Sequence, residues 1–394
     1  MKNEAYLVSS VRTAVGKAKR GSLRHMRPED LGGIVVKGAV DKVKGLEPEQ
    51  IDDVLIGCAM PEGQQGLNMG RIVAQKAGLP DSVPGATINR FCSSGLQTIA
   101  MASQSIMAGH AEVMVAGGIE SMSMVPMTGF YFMPDPDLVE ADPEVYISMG
   151  QTGENVAELY NISREDQDSF SLRSHQRAVA AIEAGRFKEE ILPVEVRETY
   201  YEAGQTHTSE KVFQVDEGPR PDSSLGALSK LRPVFKLHGT VTAGNSSQVS
   251  DGAAASVVMN ERMVKELGVK PMARLIAYAV AGVAPEVMGI APIEAIPKAL
   301  KQADLTLAEI GLIELNEAFA SQAVAVIRKL GLDESIVNVN GGAIALGHPL
   351  GCTGAKLTAT LLREMKRRKV RYGVCTMCIG GGMGAAGIFE NLLL

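Results

Sequence analysis

Short apolar runs punctuate the chain at regular intervals, at residues 54–57, 86–89, 113–116, 256–259, 275–280, 312–315, 336–339, 372–377 and 387–389. Each is four to six residues or fewer and rich in Val, Ile, Leu and Ala, which predicts buried strands. Between many of them the apolar positions fall at helical spacing, as at 96–108 and 355–368. Strands alternating with helices predict an α/β protein with buried sheets. The middle breaks the pattern. From 121 to 248 a Met- and Pro-rich stretch precedes a charged helix at 164–186, and a polar segment rich in Gly, Pro and Ser follows. This reads as an inserted region of loops and a few helices, and such regions often cover an active site.

The ends of the chain match one another. Leu46-Glu-Pro-Glu-Gln-Ile-Asp-Asp-Val-Leu-Ile-Gly corresponds to Leu305-Thr-Leu-Ala-Glu-Ile-Gly-Leu-Ile-Glu-Leu-Asn, 259 residues on (305 minus 46). The same offset relates Gly95 of Cys92-Ser-Ser-Gly to Gly354 of Gly351-Cys-Thr-Gly, and each Gly is expected to open a helix. Two matches at one offset predict an internal duplication, with two similar helix N-termini facing each other across a pseudo-twofold axis. The chain accordingly divides into a first half (1–120 with 249–270), the inserted region (121–248) and a second half (271–394).

Composition narrows the class. Of 394 residues 45% are hydrophobic and 21% charged, a soluble globular balance too long for one core. Trp is absent and the formal charge is -6, with no long basic run, so nucleic acid is not an expected partner. Residues 1–20 carry Arg12, Lys17, Lys19 and Arg20 but no apolar signal core, and no apolar stretch reaches bilayer length. Five scattered cysteines, an odd number, predict a reducing compartment, by default the cytoplasm. The terminal Asn-Leu-Leu-Leu carries no peroxisomal address.

Four segments carry candidate chemistry. Cys92, in Asn89-Arg-Phe-Cys-Ser-Ser-Gly, falls between a strand and a helix; a helix N-terminus there would lower its pKa and make it a nucleophile, though buried structural thiols are common. His348, in Gly347-His-Pro-Leu-Gly, lies in the duplicate of the Cys92 loop and suits a base for a thiol, or a loop residue capping the next helix. Cys378 ends a strand ahead of Gly380-Gly-Gly, where it could donate and accept protons beside free N–H groups. Its CxxC spacing with Cys375 raises metal or redox chemistry, but on a strand the two face opposite ways and no second Cys or His pair exists. Asn316 stands where a strand meets a helix and could cap it or hold a water. Gly382-Met-Gly-Ala-Ala-Gly fits GxGxxG but lacks the βαβ context of a dinucleotide site.

Together these segments resemble the thiolase family. Asn89-Arg-Phe-Cys-Ser-Ser-Gly, Asn316-Glu-Ala-Phe, Gly347-His-Pro-Leu-Gly and Cys378-Ile-Gly-Gly-Gly-Met-Gly look like its four motifs, in order, and the likeness runs from Val11-Arg-Thr-Ala-Val-Gly to the end. The resemblance implies a duplicated five-layer αβαβα fold with a loop domain that binds CoA. It implies that Cys92 is acylated, that His348 activates it, and that Cys378 shuttles the substrate α-proton. Asn316 would position a water that forms one oxyanion hole with His348; the N–H groups of Cys92 and Gly380 would form the other. Arg220 and Ser247 match CoA-contacting positions, and Met149, Ala243, Met288, Ala318 and Phe319 pocket-lining ones. No metal or bound cofactor is implied; CoA is a co-substrate. Within the family, Thr242-Ala-Gly-Asn-Ser-Ser-Gln and Arg90-Phe-Cys-Ser-Ser-Gly-Leu-Gln are similar to the degradative 3-ketoacyl-CoA branch of β-oxidation. Ser148 before Met149-Gly150 and Ala227 depart from the biosynthetic acetoacetyl-CoA branch, the nearest alternative. A decarboxylating ketoacyl-synthase type would have a His where Cys378 stands, and a silent acyl-CoA-binding relative would not need the intact Cys92, His348 and Cys378. A homodimer or homotetramer is implied, with a hydratase/dehydrogenase subunit as a further partner.

Overall fold

The computed structural model describes residues 4–202 and 204–394. Its strands form two matching sets. The first half supplies β1 (Ala5–Thr13), β2 (Asp53–Gly57), β3 (Gly85–Ile88), β4 (Val113–Ser121) and β5 (Ser250–Asn260), in the order β3-β2-β4-β5-β1. The second supplies β6 (Ala273–Gly282), β7 (Ile310–Leu315), β8 (Tyr372–Ile379) and β9 (Met383–Asn391), in the order β7-β8-β9-β6. Pairing changes sense at the same place in both. β2 runs parallel to β3 and β4, while β4–β5 and β5–β1 are antiparallel. Likewise β7–β8 is parallel, while β8–β9 and β9–β6 are antiparallel. The sets touch edge to edge where Leu7 of β1 pairs with Ala273 of β6.

Two strand expectations need correction. Residues 336–339 form only a parallel bridge, Val337 to Ile313, in the place β3 occupies in the first half. Asn338 there has φ 46°, and its side-chain amide takes over the ladder: Oδ1 accepts from the Leu315 N–H and Nδ2 donates to the Leu315 carbonyl, both at 2.8 Å. Conversely, β1 was not foreseen, because Ser9, Ser10 and Arg12 interrupt its apolar pattern. They are nonetheless buried, and Arg12 is held by Glu190 at 2.7 Å and Asp216 at 2.8 Å.

Helices complete the layers. α1 (Pro28–Asp41) and α2 (Met69–Lys76) cover the outer face of the first set. The outer face of the second is covered by α6 (Pro292–Ala303) and α7 (Ala320–Leu330), numbered after the inserted region's α4 (Met149–Leu159) and α5 (Arg164–Glu183). Between the sets lie α3 (Ser94–Met107) and α8 (Leu350–Arg368), whose apolar residues share one core with both sheets. The result is the αβαβα layering. α8 begins at Leu350, a turn before Gly354, because Pro349 fits the helix entrance.

The two central helices cross with almost no side chain between them. A Cβ on Gly95 would run into the Ala355 nitrogen, and one on Gly354 into the Leu96 nitrogen. These contacts are reciprocal under the 259-residue offset, as a pseudo-twofold axis requires. The inserted region adds a hairpin, Val194–Glu202 with Gln205–Phe213, that was not foreseen. It escaped because both its faces meet solvent beyond Val194, Val196 and Phe213, so no apolar alternation marks it. The Arg12–Glu190–Asp216 cluster ties this region to β1. Among the described residues no helix is long and apolar enough to cross a membrane.

Candidate active site

β3 ends in a tight turn that delivers Cys92 to the head of α3. Asn89 shapes it: its Oδ1 accepts from the Phe91 N–H at 2.8 Å and its Nδ2 donates to the Ala59 carbonyl at 3.0 Å. Phe91 has φ 39°, a left-handed conformation that a bulky residue adopts only when its surroundings impose it. Ser94 closes the turn, donating to the Phe91 carbonyl at 2.7 Å and accepting from the Arg90 N–H at 2.9 Å. Cys92 is buried against Ala18, Ala59, Met122 and Leu350.

The helix terminus does not win at this thiol, which corrects the sequence expectation of a lowered pKa. Burial dominates and pushes Cys92 up to about 11. The Gly380 N–H and the residue's own N–H pull it down; the Glu120 carboxylate pushes it up. Cys92 is therefore a thiol at neutral pH, and its ionisation needs a base.

His348 supplies a ring suited to that task. Its Nδ1 lies 2.6 Å from the Thr353 hydroxyl, which donates its own proton to the Pro349 carbonyl at 2.9 Å. The hydroxyl can thus only accept from the ring, so Nδ1 carries the hydrogen and Nε2 is left basic. Burial, reinforced by the Lys356 charge, lowers the His348 pKa to about 3, so the imidazole is neutral at rest. Asn316, at the end of β7, has its Nδ2 3.3 Å from Nε2, while its Oδ1 is buried without a partner among the described residues.

Cys378 approaches from β8. It is fully buried, and burial followed by the proximity of Cys92 raises its pKa. It packs with Met288, Ala318, Phe319 and Val241, and Met149 leans on the same cluster. Cys375 lies on the other face, its sulfur 3.9 Å from the Gly354 carbonyl, and all five cysteines are free. Gly380 adjoins Met149 and Phe91. Ser247 is half-buried and its N–H donates to the Ala318 carbonyl at 2.9 Å; Ala243 is exposed on the same segment. Cys92, Gly380 and Cys378 are thus neighbours, Asn316 pairs with His348, and Met149, Met288, Ala318 and Phe319 pack around Cys378.

Arg220 stands apart. It is exposed, its backbone N–H donates to His175 Nδ1 at 3.2 Å, and its side chain borders α5. The Gly382–Gly387 segment runs into β9, a strand, and has no helix to carry a dinucleotide. Among the described residues no group of three or more His, Cys, Asp or Glu could hold a metal.

Sequence reasoning missed two residues. Thr353 fixes the imidazole tautomer. Glu120, buried at the end of β4, accepts from the Ala59 N–H at 2.9 Å and the Gly351 N–H at 2.8 Å, locking the loops of both halves together. A charged residue closing an otherwise apolar strand was the signal available for it.

Comparisons with known proteins agree along the whole chain. Residues 5–262 match the family model described as thiolase, N-terminal domain, and 269–391 the one described as thiolase, C-terminal domain. A 3-ketoacyl-CoA thiolase of Bacillus subtilis (strain 168) is 58% identical over 390 residues, covering 98% of this chain and 99% of the relative. The protein named 3-ketoacyl-CoA thiolase 5, peroxisomal, of Arabidopsis thaliana is 45% identical, covering 99% and 86%. The solved structure of the Bacillus anthracis acetyl-CoA acetyltransferase superposes with a TM-score of 0.89 at 41% identity, covering 99% of each chain.

Proposed function

The chain belongs to the thiolase family, and from that membership we propose that it is a 3-ketoacyl-CoA thiolase, an acyltransferase that cleaves 3-ketoacyl-CoA with CoA into acetyl-CoA and a shortened acyl-CoA. The observation that carries the mechanism is the surroundings of one sulfur. The N–H groups of Cys92 and Gly380 are directed at it, it is close enough to Cys378 to raise that thiol's pKa, and His348, neutral with a basic Nε2, is the base we assign to it.

His348 Nε2 takes the Cys92 proton as the sulfur attacks the C3 ketone. Donors around the site hold the tetrahedral oxyanion. The C2–C3 bond breaks, its electron pair passes to the acetyl-CoA enolate, and the Cys378 thiol protonates C2. The acyl group remains on Cys92 as a thioester. The incoming CoA thiol gives its proton to the Cys378 thiolate and attacks that thioester. Cys92 leaves and recovers its proton from His348, so all three groups return to their starting states. Asn316, with its unpartnered Oδ1, holds the water that completes an oxyanion hole with His348. Met149, Ala243, Met288, Ala318 and Phe319 line the acyl and pantetheine path; Ser247 and Arg220 contact CoA. Residues 121–248 are the CoA-binding loop domain between the halves 1–120 with 249–270 and 271–394. The protein works in the cytoplasm as a homodimer or homotetramer in β-oxidation, and a hydratase/dehydrogenase subunit supplies its substrate.

A second reading, biosynthetic acetoacetyl-CoA formation, is favoured by the likeness to the acetyl-CoA acetyltransferase structure. The test is CoA-dependent loss of the 3-ketoacyl-CoA enolate absorbance, comparing acetoacetyl-CoA with 3-ketohexadecanoyl-CoA. Faster cleavage of the long chain supports the degradative reading; activity confined to acetoacetyl-CoA supports the second. No cleavage of either, with no acyl mass on Cys92, overturns both.

A further inference from the structure

The peptide bond joining Gly347 to His348 is gripped at both ends. Its N–H donates to the Gln248 carbonyl at 3.1 Å and to the Ser250 hydroxyl at 3.2 Å. Its carbonyl accepts from the Lys356 Nζ at 2.9 Å. Lys356 is 3% exposed and sits on α8 three residues after Thr353, so one helix face holds both the backbone and the ring of His348. Gly347 is needed for this grip. Its φ is 90°, and a Cβ there would strike the Ser250 hydroxyl.

Among the described residues no ion pair accounts for burying this amine. Of the charged groups around it, Asp216 is engaged by both terminal nitrogens of Arg12 at 2.8 and 2.9 Å, and Arg12 itself is repulsive. Glu314 of β7 and Glu317 are pushed toward their neutral forms by burial, and Glu317 accepts from Ser174 Oγ at 2.7 Å and Asn338 Nδ2 at 2.8 Å. Cys352, one turn earlier on α8, is a thiol whose pKa burial raises to about 12. A buried amine whose one bond among the described residues is to the carbonyl before His348 is better explained by that loop than by general stability. The duplication supplies a control: 259 residues earlier stands Gln97, an uncharged residue that accepts from Arg90 Nε at 2.6 Å.

We propose that Lys356 is a positioning residue for His348: it fixes the Gly347–His348 peptide and, through it, the ring that the peptide carries. The inference rests on the reading of His348 as the base only for its effect on rate. The test therefore begins with the resting protein. In protein labelled with 15N-histidine, the His348 ring is expected to stay in its Nδ1–H form from pH 5 to 8. In Lys356→Met it is expected to exchange between tautomers or to take up a second proton within that range. Lys356→Arg is expected to restore the wild-type spectrum, and Lys356→Gln replaces the Met variant if that one does not fold. In thiolysis assays, kcat of Lys356→Met is expected to fall about 10- to 100-fold with both KM values within about threefold, as for a misplaced catalytic group. A His348 spectrum identical in wild type and in the Met or Gln variant overturns the inference whatever the rates do. An active-site reading that fails on its own terms, with His348→Asn fully active, leaves the spectral result standing.

Discussion

The two halves share a backbone and differ in chemistry. The turns before α3 and α8 align at the 259-residue offset, so that Asn89-Arg90-Phe91-Cys92 lies over His348-Pro349-Leu350-Gly351. The turn hydroxyl is repeated: Ser94 donates to the Phe91 carbonyl, and Thr353, its counterpart, to the Pro349 carbonyl. Where the first half has Cys92, the second has Gly351; where the second has its imidazole, the first has the amide of Asn89. Cys378 likewise faces Ile119 across the offset. One fold unit was used twice, and each copy carries a different part of the proton-transfer equipment we propose. Glu120 joins the two by accepting from N–H groups of both.

Substitutions that make the halves alike test this division. The largest effect is expected from Cys92→Gly, which gives the first turn the residue of the second. Thiolysis should fall by about 10⁴-fold or more, the scale on which a nucleophile's removal is felt, and mass spectrometry should find no acyl-enzyme. Next comes His348→Asn, which gives the second turn the residue of the first. Loss of a general base predicts about a 10²- to 10⁴-fold fall in kcat, with slow acylation of Cys92 still detectable by mass. A variant that kept full activity would mean the base lies elsewhere.

How much of this could be read in the sequence depends on where each residue's partners lie. Cys92, His348, Asn316 and Cys378 stand at ends of elements, and local turn chemistry marked them. The centres of most strands were legible as well, but their ends were not. The apolar run that predicts β4 stops at 116, ahead of Gly117 and Gly118. The strand continues to Ser121, and the glycines are there for close approach, to the Ala254 carbonyl and the Gly351 carbonyl. β1 was hidden because Ser10, Arg12 and their partners Ser256, Glu190 and Asp216 are more than 170 residues apart. Thr353, Glu120 and Lys356 act through tertiary contacts of the same kind. The sign of the Cys92 shift was misread for a related reason: the helix dipole is local and visible, whereas burial is a property of the whole fold.

The pseudo-twofold crossing can be sharpened by a smaller pair of changes. Gly95→Ala and Gly354→Ala should each destabilise by about 1–3 kcal/mol, because each methyl meets backbone that cannot swing aside. The reciprocal contacts predict falls of similar size in melting temperature. Loss at one position only would mean the helices cross off the axis.

The smallest effect concerns acid stability and again separates His348 from Asn89. The native imidazole has a pKa of about 3 and an unfolded one about 6.5, so between these values the unfolded chain binds the proton first. The sign follows: the contribution is present in full above the unfolded value and is lost as pH falls from 6.5 toward 3. His175, lowered to about 4 by burial and then by Arg220, acts in the same sense. Buried Glu120, Glu190, Glu314 and Glu317 act in the opposite sense, because burial raises them. The total acid response is therefore a balance, and only the difference between wild type and His348→Asn isolates the imidazole. Between pH 7.5 and 5, wild type should lose about 1–2 kcal/mol more than the variant, read from urea unfolding midpoints at both pH values. Parallel declines would mean that His348 takes up its proton at the same pH folded and unfolded, so that burial does not hold the ring neutral.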